Sequence, residues 1–431
     1  MYVGGPYREV ALSDVVVGLD IGSHFIRTVI GEFTDNNKIQ IIGLGKTLSP
    51  GLRNGTIVNI ESTMQAIRKS IEDAEMDSGC EVHSCISAIG GVQIKSWDAT
   101  GMGQVAGSKG STPREITEND MAQVIEVARS VPISPDRQIL HVVPRYYVVD
   151  KQEQVKNPKD MLGVKLEVET HVITASCTSV KNIQNCISRA GYRADSMMLK
   201  TLAATKAVMT EDELELGSIL IDMGGGTTDV LVLLGGAPIC TLSIPVGSSY
   251  ITSDISYVKG ISLDTAESTK IQYGCCWEPL LDEVEEVVIP GIGGRGPEAI
   301  SRSELCQIIQ ARVEEIFNMI KAEIVQQTKL TQLSGNVVLT GGGAQLLGIT
   351  ELAQKVFKTT AVRLGTPGNY GGKVDVYRTP EYATAIGLLL DSARSRQRID
   401  TKRNNKYNGE EEQVSRTSFF SKLGDVFKEF F

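Results

Sequence analysis

Residues 217–230 read Gly-Ser-Ile-Leu-Ile-Asp-Met-Gly-Gly-Gly-Thr-Thr-Asp-Val, and the fold turns on them. Ser218 to Ile221 is a short apolar run suited to a buried strand, and the run ends on Asp222. Gly224, Gly225 and Gly226 follow, then Thr227 and Thr228, then a second apolar run from Val230 to Leu234. The pattern predicts a strand, a tight glycine turn and a second strand. Glycines let the backbone approach a ligand closely, and inward-turned N–H groups make a nest that suits phosphate. The threonine hydroxyls add donors. Asp222, at a strand end, is placed to hold a water of a phosphate-bound Mg²⁺. Taken alone, the stretch also fits an ordinary glycine-rich hairpin.

A second copy of the pattern favours the phosphate reading. Residues 15–31 again give an apolar strand ending in an acid, Asp20, then the small-residue turn Gly22-Ser23, then another strand. Two such units can grip a nucleotide's phosphates from opposite sides, with a metal between the acids. A third glycine cluster, Gly341-Gly342-Gly343, follows the apolar run Val337–Leu339 and is expected to open a helix beside the adenosine. No GxxxxGK[ST] loop and no full GxGxxG spacing occurs. Three elements in this order resemble the actin, Hsp70 and sugar-kinase nucleotide fold.

The chain of 431 residues is too long for one core and predicts two or more subdomains. A net charge of −9 argues against general nucleic-acid binding. The 8 cysteines are scattered without a CxxC pair, which argues against zinc and points to a reduced, cytosolic compartment. The start of the chain is polar and acid-containing, unlike a signal peptide. No apolar run approaches the roughly 20 residues a bilayer span requires.

Along the chain, Met64, Ile67, Ile71 and Ala74 recur at helical spacing. Residues 82–174 differ in character. They alternate from Val82 to Ile94 and turn glycine-rich from Gly101 to Gly110. A helix is capped at Thr117 with Asp120 three residues on, and strands follow at 138–149 and 164–174. His141, inside an apolar strand, reads as a packed histidine. Ser301 and Glu304 cap a long helix whose stripe runs through Leu305, Ile308, Ile309, Val313, Ile316, Phe317, Ile320 and Ile324. Pro380 starts a last core helix to about Arg394.

After a polar, charge-rich stretch, Phe419, Phe420, Leu423, Val426, Phe427, Phe430 and Phe431 fall on one helical face. At ~1.5 Å per residue this helix is about 20 Å long, too short to span a bilayer, so it is expected to lie in the membrane interface.

The sequence resembles the FtsA family of bacterial cell-division proteins from about Val15 to Leu390 and again at the tail. Gly-Leu-Asp-Ile-Gly-Ser (18–23), Gly-Leu-Arg-Asn-Gly (51–55) and Ile-Leu-His-Val-Val-Pro (139–144) carry the resemblance. So do Gly-Val-Lys-Leu-Glu-Val-Glu (163–169), Leu-Thr-Gly-Gly-Gly (339–343) and Tyr-Ala-Thr-Ala-Ile-Gly-Leu-Leu (382–389). The resemblance implies an α/β, actin-like ATPase fold with two RNase H-like subdomains (1A, 2A), a 1C insertion in place of actin 1B, and a 2B insertion. The implied division is a leader at 1–14, 1A at 15–83 and 167–200, and 1C, SHS2-like, at 84–166. Subdomain 2A follows at 201–243 and 306–379, with 2B at 244–305. A helix at 380–394 returns to 1A, with a disordered linker at 395–417 and the membrane helix at 418–431.

The implied cofactors are ATP and Mg²⁺. They would lie between Asp20, Gly22, Ser23 and His24 on one side and Asp222, Gly224, Gly225, Gly226, Thr227 and Thr228 on the other. Asp20 and Asp222 would hold the metal through water. Gly247 belongs to the same set, Glu267 and Lys270 match positions that flank adenosine in Hsp70-type proteins, and Gly341, Gly342 and Gly343 back it. The implied partners are the C-terminal peptide of the tubulin-like FtsZ, further copies of the chain in a polymer, later division proteins and membrane lipids. Arg295 and Arg302 are candidates to pair with an acidic FtsZ peptide. The implied location is the cytoplasmic face of the cell membrane at the division septum.

One position departs from related ATPases. Many carry a Glu-Pro dipeptide whose glutamate positions the attacking water; this chain reads Lys200-Thr201. A protonated lysine is no general base, so slow hydrolysis at most is expected beside intact nucleotide binding. Two other readings use the same motifs: an FtsA-like pilus-assembly protein that binds a partner peptide, and a sugar or acetate kinase. The first should lack the C-terminal membrane helix, and the second needs a catalytic acid in a substrate loop that the sequence does not offer.

Overall fold

The computed structural model describes residues 15–34, 38–105, 112–282, 285–289, 296–329 and 335–393. The expected leader, the linker, the phenylalanine-rich tail helix and Arg295 lie outside the described residues.

Two five-stranded sheets share one topology. In the first, Ile39–Leu48, Phe25–Phe33 and Val15–Ile21 form an antiparallel meander, and Ser84–Ile89 and Arg193–Leu199 then extend it in parallel. In the second, Ala237–Ile244, Thr228–Leu234 and Ser218–Met223 form the meander, and Asn336–Thr340 and Val362–Leu364 extend it in parallel. Order and strand sense match one for one, as a duplicated RNase H-like unit requires. The central strands are buried along almost their whole length, which explains why they read as continuous apolar runs rather than alternating ones.

Each sheet carries a helix whose apolar stripe was visible in the sequence. Ile60–Ser78 is capped by the Asn59 side chain, which accepts from Ser62 N–H at 3.0 Å. It buries Met64, Ile67, Ile71 and Ala74 on the first sheet. Arg302–Thr328 buries Leu305, Ile309, Val313, Ile316, Phe317, Ile320 and Ile324 on the second. Between the halves run Lys200–Val208 and a helix at 383–393, sharing a core of Leu202, Ala203, Leu220, Leu231, Ile386 and Leu389. They cross at Gly387, where a Cβ would lie 1.8 Å from Ala203 O.

A four-stranded antiparallel sheet, ordered Gln152–Val155, Arg137–Val149, Lys165–Ser176 and Ile94–Gln104, is the inserted block. Glu118–Arg129 covers it, with the Thr117 capping box formed as the sequence predicts. The limits expected for this insert, 84–166, need correction. Ser84–Ile89 pairs with Val15–Ile21 in the first sheet, because its Cys85, Ala88 and Ile89 are buried there. At the other end, Lys165–Ser176 is one continuous strand of the insert sheet, so residue 166 falls inside it.

Candidate functional site

Where the halves meet, a cavity of about 470 Å³ opens, a size typical of small-molecule and cofactor pockets. Three parallel strands of the first sheet and two of the second end at it. Asp20, Ile89 and Lys200 line it from the first sheet, and Asp222 and Gly341 from the second. Carboxyl ends of parallel strands are the usual ligand side of such sheets, since the turns there are free to vary without disturbing the core.

The two hairpin turns are built alike. Gly22 N–H donates to Phe25 O at 3.1 Å, and Gly224 N–H donates to Thr227 O at 2.9 Å. The turns approach each other so closely that side chains would collide. A Cβ on Gly225 would sit 2.7 Å from His24 Cβ, and one on Gly226 would sit 2.8 Å from Ser23 Oγ. The third turn is glycine-bound for a different reason. Gly341 has φ of +83°, and a Cβ there would lie 2.3 Å from Asp222 Oδ1. Beyond it Gly342–Gln345 forms a single 3-10 turn, and the longer helix expected at this point starts later, at Ile349.

Asp20, Asp222 and Asp229 converge on Lys200. Its Nζ lies 2.7 Å from Asp20 Oδ1 and donates to Ile21 O at 3.1 Å. Burial works against the charge of Lys200, but the three carboxylates outweigh it and keep the ammonium protonated. Burial, reinforced by Asp229 and Asp20, pushes Asp222 up to about 7. Among the described residues no hydrogen-bond donor is aligned on buried Asp20 Oδ1. Asp20 Oδ1 is ion-paired with Lys200 without an aligned N–H, and the acids Asp20 and Asp222 together exceed that one ammonium, an arrangement that fits a hydrated Mg²⁺ near them.

The walls are ionic. Lys270 Nζ donates to Glu267 Oε2 at 2.7 Å and to Thr252 Oγ1 at 2.9 Å. Burial would raise Glu267, but Lys270 and Thr252 hold it below its ordinary value. Burial also lowers His24, which keeps its ring neutral toward the cavity. Arg27 pairs with Glu381, and Lys46 donates to Glu381 Oε2 at 2.9 Å while its ammonium lies 4.5 Å from the Phe25 ring centre.

Asp20, Gly22, Ser23, His24, Asp222, Gly224, Gly225, Gly226, Thr227, Glu267, Lys270, Gly341, Gly342 and Gly343 are thus brought to one cavity. Thr228 and Gly247 do not line it. Thr228 is fully buried and its hydroxyl donates to Val246 O at 2.8 Å. Gly247 supports the nest from behind: Ser248 and Ser249 N–H donate to Gly224 O and Gly225 O, and a Cβ on Gly247 would lie 2.6 Å from both carbonyls. Arg302 also takes a different place from the one expected. It donates to Tyr273 O and to both Glu285 oxygens, and only 18% of its side chain is exposed, so it is committed within the chain.

Sequence reading passed over Arg27, Lys46, Asp229, Gln93 and Glu381, which also line the cavity. A signal existed for Arg27, a charge inside the apolar run Phe25–Ile30. Nothing local marks Lys46 or Glu381, which meet across most of the chain.

Residues 219–387 match the family model described as cell division protein FtsA, and residues 91–174 match the SHS2 domain inserted in FtsA. The latter coincides with the antiparallel insert sheet. The chain is 39% identical to cell division protein FtsA of Borreliella burgdorferi, over 88% of this chain and 90% of the relative. It is 36% identical to that of Escherichia coli K12, over 87% and 89%. Among solved structures, a PilM-PilN type IV pilus biogenesis complex superposes with a TM-score of 0.62 at 16% identity, covering 88% of this chain and 98% of that one. MreB5 of Spiroplasma citri bound to AMPPNP gives 0.51 at 14%, covering 90% and 99%. These two likenesses concern the actin-like fold alone, whereas the sequence relatives extend over nearly the whole chain. With the duplicated sheets, the inserted SHS2 sheet and relatives of this identity and coverage, the chain belongs to the FtsA family of cell division proteins.

Proposed function

We propose that this chain binds ATP with Mg²⁺ between its two glycine hairpins, polymerises, and holds the FtsZ ring at the cytoplasmic face of the membrane during division. The observation that carries the nucleotide reading is the cavity. Two like turns face each other across it, a third closes it, and buried acids stand at the strand ends. Glycine backbone would hold the phosphates, Lys270 and Glu267 would flank the adenosine, and Asp20 and Asp222 would hold waters of the metal. A bound Mg²⁺ neutralises phosphate charge and fixes phosphate orientation. Phe25, Lys46 and Arg27 line the cavity from the first half.

Hydrolysis is slow in this reading. The residue facing the phosphates from the end of Arg193–Leu199 is Lys200, an ammonium that accepts no proton. The pilus-assembly reading is not favoured, since the likeness to PilM rests on fold and the relatives at 36–40% identity are division proteins.

FtsZ would dock on region 244–305. Support comes from exposed apolar side chains there, Tyr257 (90% exposed), Ile271 (74%) and Leu263 (58%), which suit a peptide with an apolar face. The membrane contact would be the phenylalanine face of residues 418–431. Five of the chain's 9 phenylalanines fall in its last 13 residues. The test is calorimetry with ATP and Mg²⁺, followed by cosedimentation with FtsZ and lipid vesicles with and without ATP. Failure to bind ATP would overturn the nucleotide site. ATP binding without vesicle or FtsZ recovery would leave the site and overturn the tether.

A further inference from the structure

Lys200 is held more firmly than a lysine at a cavity edge needs to be. It follows directly on the strand Arg193–Leu199 and starts the helix Lys200–Val208. Its stem runs under Gly90, where a Cβ would touch Lys200 Cδ at 2.9 Å and Asp229 Oδ2 at 3.0 Å. Its Nζ meets Asp20 from the first sheet, and the field at Nζ comes also from Asp222 and Asp229 of the second. Only 15% of its side chain is exposed. Asp229 is fixed in turn: its Oδ1 accepts from Gly91 N–H at 2.9 Å. Of the three ammonium donors, one serves Ile21 O and one faces Asp20, and the residue also lines the cavity.

The charges then nearly match one divalent ion. Above about pH 7, where Asp222 is ionised as well, three carboxylates act on one ammonium, so two negative charges stay uncompensated. Replacing Lys200 by a neutral residue would leave three. An incoming triphosphate would meet that excess directly, in a site where buried charges are poorly screened.

Resting on the proposed nucleotide reading, we infer that Lys200 is a resident counter-cation of the phosphate site: a positioning residue that neutralises Asp20, offers its free N–H to phosphate oxygen, and lets the site hold nucleotide even when Mg²⁺ is withdrawn. Where a glutamate would poise water for attack, this lysine makes the pocket one for retention. Metal then adjusts the affinity of a site that is already partly charge-balanced.

The experiment is calorimetry of ATP binding to the full chain in Mg²⁺ and again in excess chelator, for the wild type, Lys200→Gln and Lys200→Arg. The wild type should lose no more than about tenfold in affinity when Mg²⁺ is removed. In Lys200→Gln that loss should grow to about a hundredfold or more, with binding in Mg²⁺ much less affected. Lys200→Arg, which keeps the charge, should behave like the wild type; a merely structural role would not give this pattern of ratios. The wild-type ratio tests the idea even if Lys200→Gln fails to fold. Loss of wild-type binding beyond about a hundredfold without metal, or equal ratios in wild type and Lys200→Gln, would overturn the counter-cation. No binding under either condition would instead overturn the nucleotide site itself.

Discussion

Leu199 N–H donates to His141 Nε2 at 3.0 Å, tying the insert sheet to the junction that presents Lys200. His141 stands on Arg137–Val149 of the insert, and Leu199 caps the helix that begins at Lys200. The histidine read from sequence as packed is therefore packed and an acceptor, which requires its Nε2 to be unprotonated. Burial lowers it to about 4.

That shift has a pH consequence. The unfolded chain takes up the His141 proton near pH 6.5 and the folded chain only near 4. The contribution is therefore fully present above about pH 6.5 and is lost as pH falls toward 4. The difference in unfolding free energy between wild type and His141→Gln should narrow across that window, by up to about 3 kcal/mol. Urea unfolding at pH 7 and pH 4.5 measures it; a constant difference would mean that His141 is not the titrating group.

Gly225→Val should abolish tight ATP binding. The new Cβ would fall 2.7 Å from His24 Cβ, so the hairpins must separate just where phosphate is expected. A separation costing roughly 3 kcal/mol corresponds to more than a hundredfold in affinity. Calorimetry at constant Mg²⁺ reads this directly, and unchanged affinity would place the phosphates elsewhere.

Asp222→Asn should separate stability from function. The free protein holds Asp222 buried beside Asp20 and Asp229, an arrangement that favours a neutral side chain. The variant should melt a few degrees higher without nucleotide, in keeping with about 1 kcal/mol. The same variant should bind ATP with Mg²⁺ more weakly. A lower melting temperature together with unchanged ATP affinity would contradict both parts.

Phe427→Glu should release the chain from membranes. One charge in the middle of the phenylalanine face opposes insertion. Each buried phenyl contributes roughly 1.5–3 kcal/mol, so a lone helix binds reversibly and a polymer binds by avidity. Vesicle flotation compares the two chains. Equal recovery with lipid would put the anchor outside residues 418–431.

Much of this protein is legible without coordinates because its signals are local. Asp20 and Asp222 each close an apolar run and open a glycine turn, and both turns form as hairpins. The stripes of Ile60–Ser78 and Arg302–Thr328 are periodic, and periodicity survives folding because one helix face must be buried. The limits of the insert were not legible. Ser84–Ile89 and Lys165–Ser176 are both strand-like in composition, and partner choice, a long-range property, assigns the first to one sheet and the second to another. The same holds for charge. Sequence alone marks Lys200 as a departure from a glutamate. Only the tertiary structure puts its ammonium 2.7 Å from Asp20 and in the field of Asp222 and Asp229, because those acids reach it from different sheets. It likewise turns Arg302 inward to Glu285 and seals Thr228 beneath the nest, since a buried charge or hydroxyl settles where a partner lies, and such partners are set by packing rather than by neighbours in the chain.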